Sequence, residues 1–79
     1  MTRPDPRADA AEWLAAQPDD VVRMVRAALH ENPTPRNLRR ALNRAIIATG
    51  DELTRTMTER CNDAAYARSF GMAVLRSEK

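Results

Sequence analysis

The chain reads as an all-α protein, a small bundle of three to five short helices. Three observations predict it. From Val21 to Val74 the apolar residues recur mostly at i, i+3 and i+4, the spacing of one helix face. Helix starts are marked where that spacing resets, by Pro18, by Thr34-Pro35 and by Asp51. No stretch has a sustained strand pattern: Leu53 to Thr58 alternates, but it is short and flanked by helical spacing, and there is no internal repeat.

Residues 1–8 carry two prolines and no apolar spacing, and read as a flexible N-terminal arm; residues 9–79 read as a single helical domain. Asp9-Ala10-Ala11-Glu12 has the spacing of a capping box, which predicts a short first helix carrying Trp13 and Leu14 and ending near Gln17. Pro18 suits the first position of a second helix, with Asp19 and Asp20 at the positive end of its dipole. That helix should bury Val21, Met24, Val25, Ala28 and Leu29, present Arg23, Arg26 and His30 outward, and stop at Asn32-Pro33 with Asn32 in a left-handed cap.

Thr34-Pro35 restarts the chain as N-cap and first residue, and Leu38, Ala41, Leu42, Ala45, Ile46 and Thr49 follow the helical pattern up to Gly50. Gly50 suits a left-handed C-terminal position and Asp51 caps the next segment, so a turn is expected there. Beyond Asp51 two apolar stripes appear, Leu53, Met57, Cys61 and Ala64, then Tyr66, Phe70, Ala73 and Val74 about half a turn away. Either Asn62-Asp63 breaks the helix and Asp63 caps a fifth, or one long helix buries both sides, one against its own domain and one against a second copy. On the second alternative, Ala64, Tyr66, Ala67, Phe70, Gly71 and Val74 are the expected dimer interface, with small residues allowing close helix approach.

Length adds weight to an association. A chain of 79 residues builds one core, worth roughly 3–5 kcal/mol when nothing staples it. Cys61 is the only cysteine and His30 the only histidine, so neither an intrachain disulfide nor a Cys/His zinc site can form, and no cofactor or metal is expected. No apolar stretch nears the roughly 20 residues that span a bilayer. The segment Met1 to Arg7 has no apolar secretion core, so a cytoplasmic protein is expected.

Thirteen basic residues against eleven acidic ones give a net charge of +2, and twelve of the thirteen cations are arginine. Catalysis is not expected. The lone His30 and Cys61 fall on different helices with no local motif, and the acid pairs Asp19-Asp20 and Asp51-Glu52 stand where helix starts favour negative charge. His30 suits the last turn of its helix, Cys61 reads as a small core residue, and two glycines are too few for a phosphate loop.

The third helix carries the candidate site. Arg36, Arg40 and Arg44 are spaced by four, opposite its apolar side, with Asn43 beside them, Asn37 and Arg39 at the margins, and Arg23 and Arg26 of the second helix extending the patch. A guanidinium offers a planar fork of donors that stays charged, which suits carboxylates and phosphates. Ile47 projects among these arginines, roughly 160° from the apolar centre of the helix. An apolar anchor among arginines with little lysine matches the composition of protein interfaces.

The expected function is therefore that of a non-enzymatic regulatory or inhibitory module. Its arginine face would occlude an acidic, or nucleic-acid-binding, surface of a partner protein. Inhibitors encoded by phages and other mobile elements are often of this size. The competing expectation is a helix-turn-helix-like DNA-binding regulator, with Arg reading guanine and Asn adenine from the same helix. Against it stand the low net charge and the scarcity of aromatics. A membrane-surface role is not expected, because the apolar side of the third helix is needed for the core.

Overall fold

A computed structural model describes residues 3–77. They form five helices: α1 (Pro6–Ala16), α2 (Asp19–Glu31), α3 (Pro35–Thr49), α4 (Glu52–Arg60) and α5 (Ala64–Arg76). No strand occurs among the described residues. The all-α bundle is thus the architecture adopted, with α1 laid along α5, and α3 packed against α2, α4 and α5.

The first helix begins earlier than its capping-box spacing predicts. Asp5 takes the N-cap position, its Oδ1 accepting the backbone N–H of Arg7 at 3.0 Å, and Pro6 fits the first helical position with the fixed φ that position needs. Residues 6–8 of the expected arm are therefore helical; Met1 and Thr2 lie outside the described residues. Asp9, expected as the cap, stands inside α1. Its Oδ2 accepts from Arg60 Nη1 at 2.7 Å and from the Tyr66 hydroxyl at 2.5 Å, joining α1 to the end of α4 and the start of α5.

Pro18 precedes α2 as its N-cap, so α2 starts one residue later than expected. Asn32 ends the helix, but at φ −152° and ψ 99° it is extended rather than left-handed. The cause is Pro33, whose ring restricts the preceding residue to extended backbone. Asn37 completes this turn from α3, its Nδ2 donating to the carbonyls of Ala28 and Asn32 at 2.8 Å each. The other boundaries follow their markers: Thr34 caps α3, Gly50 ends it at φ 67°, and Asp51 caps α4.

The chain breaks at Asn62-Asp63, and Asp63 caps α5 by accepting from Ala65 and Tyr66 N–H groups. This break turns the two apolar stripes onto one core. Met57 and Cys61 from the first stripe and Tyr66, Phe70 and Val74 from the second are all buried together. Tyr66, Ala67, Phe70, Gly71 and Val74, expected to face a second copy, are occupied within the chain itself; of the six residues only Ala64 is exposed. Gly71 has Leu38 and Leu29 against the position a Cβ would take.

Trp13 and Phe70 anchor the core, both fully buried, with ring centroids 6.0 Å apart in an edge-to-face arrangement. Burying side chains of this kind contributes about 1.5–3 kcal/mol each. Among the described residues no helix is long and apolar enough to cross a membrane.

Candidate functional site

The outer face of α3 is set by its inner one. Leu38, Ala41, Leu42 and Ala45 are buried, and helical geometry then sends Arg36, Arg40, Asn43, Arg44 and Ile47 to the opposite side, where all five are exposed. Ile47 is 85% exposed, more than any other large apolar residue described. Between Pro35 and Thr49 the helix holds no acidic residue. Among the described residues, Arg36, Arg40 and Arg44 have no hydrogen-bond or ion-pair partner, whereas Arg60 of α4 pairs with Asp9 of α1.

The margins of the patch serve the fold instead. Arg39 donates from Nη1 to the Cys61 carbonyl at 3.1 Å and satisfies the end of α4, while Asn37 is committed to the α2–α3 turn. Arg26 does not extend the patch as expected. Its Nη2 donates to Ser77 Oγ at 2.7 Å and its Nε to the Val74 carbonyl at 3.4 Å, which turns the guanidinium toward the end of α5. Arg23 remains exposed on α2.

The arginine ridge runs between two shallow grooves. One, of about 300 Å³, separates it from α2 and is lined by Met24, Ala28, Glu31, Arg40 and Arg44. The other, of about 280 Å³, lies toward α4 and includes Asn43, Ile46, Arg55 and Glu59. The ridge thus carries an exposed isoleucine at its tip and a groove on each side.

The groups considered for chemistry are placed otherwise. Cys61 is fully buried, and desolvation pushes its thiol up to about 12, so it stays protonated. His30 stands in the last turn of α2. Asp51 serves as a cap, and hydrogen bonds from Thr54, then from Gln17, hold its carboxyl below the ordinary range. Asp19 and Asp20 occupy the first turn of α2. Among the described residues, no three His, Cys, Asp or Glu side chains are grouped so as to hold a metal ion.

A second exposed apolar residue lies on α5. Met72 is 51% exposed on the outer face of α5, between Arg68 and Arg76. The signal in the sequence is the spacing of four among Arg68, Met72 and Arg76, on the side of the helix opposite its apolar stripe.

The chain matches no protein-family model, no curated protein and no solved structure.

Proposed function

We propose that this chain is a non-enzymatic cytoplasmic binding module that regulates or inhibits a partner protein by covering an acidic surface on it. Arg36, Arg40 and Arg44 would pair with carboxylates, Asn43 would add a polar contact, and Ile47 would be the apolar anchor. The observation that carries this reading is Ile47, 85% exposed at the end of a row of arginines that form no ion pair among the described residues. An exposed isoleucine gains from burial at an interface, whereas a surface devoted to phosphate contacts has no use for one.

Occlusion is the mechanism that fits. A rigid helix ridge competes for a site that another protein or a nucleic acid would use, and needs no reactive group to do so. Affinity capture with the intact chain, set against Arg40→Glu and Ile47→Asp, tests the reading. A partner retained by the parent chain and lost from both variants supports it; retention by both variants overturns it.

A DNA-binding reading draws on the short connection from Asn32 to Thr34 between α2 and α3 and on the arginines of α3. Asn37 spends both N–H donors of its amide on the turn and has none for adenine N7, which leaves Asn43 for that role. Fluorescence anisotropy against a mixed-sequence duplex separates the two readings. DNA binding that falls steeply with salt and disappears in Arg36→Glu/Arg40→Glu/Arg44→Glu would replace the protein-partner reading, since counterion release marks phosphate contacts.

A further inference from the structure

We propose that the groove between the start of α1 and the outer face of α5 is a second docking surface, which takes a short acidic segment of a partner protein and seats an apolar side chain of that segment on Met72. This surface is separate from the α3 ridge, and the proposal does not depend on the function assigned to that ridge.

The groove follows from how α5 is packed. Tyr66, Ala67, Phe70, Gly71 and Val74 take one side of the helix into the core, and a helix period then places Arg68, Met72 and Arg76 together on the other. The first turn of α1 approaches alongside with Arg7 and Ala8. A cleft of about 870 Å³ opens between them. Its floor is held in place: Ser77 Oγ donates to the Val74 carbonyl at 2.6 Å and accepts from Arg26 at 2.7 Å, so the last turn of α5 is tied to α2.

The charge on the cleft is unbalanced. Arg7, Arg68 and Arg76 line it, all exposed, and among the described residues none has an acidic side chain as partner. The one carboxylate in the lining is Asp5, and it is engaged in capping α1. Arginine forks around a cleft favour carboxylates, and a half-exposed methionine in its lining offers a polarizable apolar surface that adapts to its contact.

Those two features together select an acidic peptide. A nucleic acid would use the arginines but leave Met72 exposed, and no aromatic side chain lines the cleft to stack a base. A second copy of this chain is a poor occupant. Its acid pairs Asp19-Asp20 and Asp51-Glu52 sit at helix starts, and the apolar residues next to them, Val21, Val22 and Leu53, are buried or half-buried in its own core.

The test is a titration of the isotope-labelled full chain with a synthetic glutamate-rich peptide containing a central leucine, followed by amide chemical shifts. The proposal expects shifts at Arg7, Arg68, Ser69, Met72 and Arg76. Arg68→Glu/Arg76→Glu and Met72→Asp should each weaken binding at these positions by about tenfold or more, a hot-spot-sized loss. All of these positions are exposed, and far-UV circular dichroism checks that the variants remain helical. Absence of shifts, or shifts confined to α3, overturns the proposal; the latter would still support the α3 reading. Equal binding by a peptide without the leucine, or displacement at equal affinity by an oligonucleotide of matched charge, overturns the assignment of an acidic peptide with an apolar anchor.

Discussion

Trp13 donates its indole N–H to Thr54 Oγ1 at 2.9 Å, and both residues are completely excluded from solvent. The Thr54 hydroxyl in turn donates to Asp51 Oδ2 at 2.8 Å, and Gln17 Nε2 donates to the same oxygen at 2.8 Å. This chain of hydrogen bonds holds α1 to the start of α4. It lets the largest core side chain enter the interior without leaving its donor unpaired.

Removing the acceptor should expose that dependence. Thr54→Val keeps the volume but strands the indole N–H, and should cost about 1–3 kcal/mol. Chemical denaturation followed by tryptophan fluorescence reads the loss. Thr54→Ser, which keeps the hydroxyl, should retain more of the stability; equal losses would show that the methyl group and not the hydrogen bond is what counts.

Asp51 makes the same region sensitive to acid. Hydrogen bonds from Thr54, and then from Gln17, favour its ionised form and lower its folded-state pKa beneath the ordinary 3.8. The stability so gained is complete above the unfolded value and is lost as pH falls through it toward the depressed folded one. Asp51→Asn should therefore be less stable than the parent near neutral pH, and the gap should narrow between about pH 5 and pH 2. A gap that stays constant over that range would exclude Asp51 as a source of acid sensitivity.

Gly71 distinguishes a core position from a helix-crossing one. A Cβ there would lie 3.6 Å from Leu38 Cδ2 and 3.7 Å from Leu29 Cδ2, ordinary contact distances. Gly71→Ala should thus keep the fold and gain up to about 0.5–1 kcal/mol from helix propensity. Gly71→Leu should overpack the same site and lose about 1–3 kcal/mol. Denaturant midpoints of the two variants give the comparison, and a loss in Gly71→Ala would contradict the packing described.

Cys61 should behave as a core residue in solution. Desolvation holds its thiol at about 12, and its side chain is fully buried. Iodoacetamide at about pH 8, where an ordinary thiol reacts readily, should label it only after denaturant is added. Mass spectrometry of the native chain showing rapid labelling would place the thiol at the surface.

Much of this protein was legible in its sequence because the signals were local. Thr34-Pro35, Gly50 and Asp51 mark helix boundaries through their own backbone and side-chain chemistry, and the structure uses each one as marked, while Asp63 takes the capping role that one of the two alternatives for its segment gave it. The exposure of Arg36, Arg40, Asn43, Arg44 and Ile47 follows from period alone once Leu38 and Leu42 point inward. Asp9 misled because its spacing to Glu12 imitates a cap, while a competing cap, Asp5-Pro6, stood four residues earlier.

Tertiary structure decided what periodicity leaves open. The two stripes after Asp51 fit either a self-contained core or an interface, and only the break at Asn62-Asp63 turns both onto Trp13, Leu29 and Leu38. Arg26 lies only about 60° from Arg23 around α2, yet it is bound to the end of α5, to residues 48 and 51 positions away along the chain. The joining of Asp9 to Tyr66 across 57 residues and the cleft around Met72 arise in the same way. Helix faces are set by neighbours within a turn, so sequence determines them; which faces meet depends on the angles at which distant helices pack, and that is a property of the whole fold.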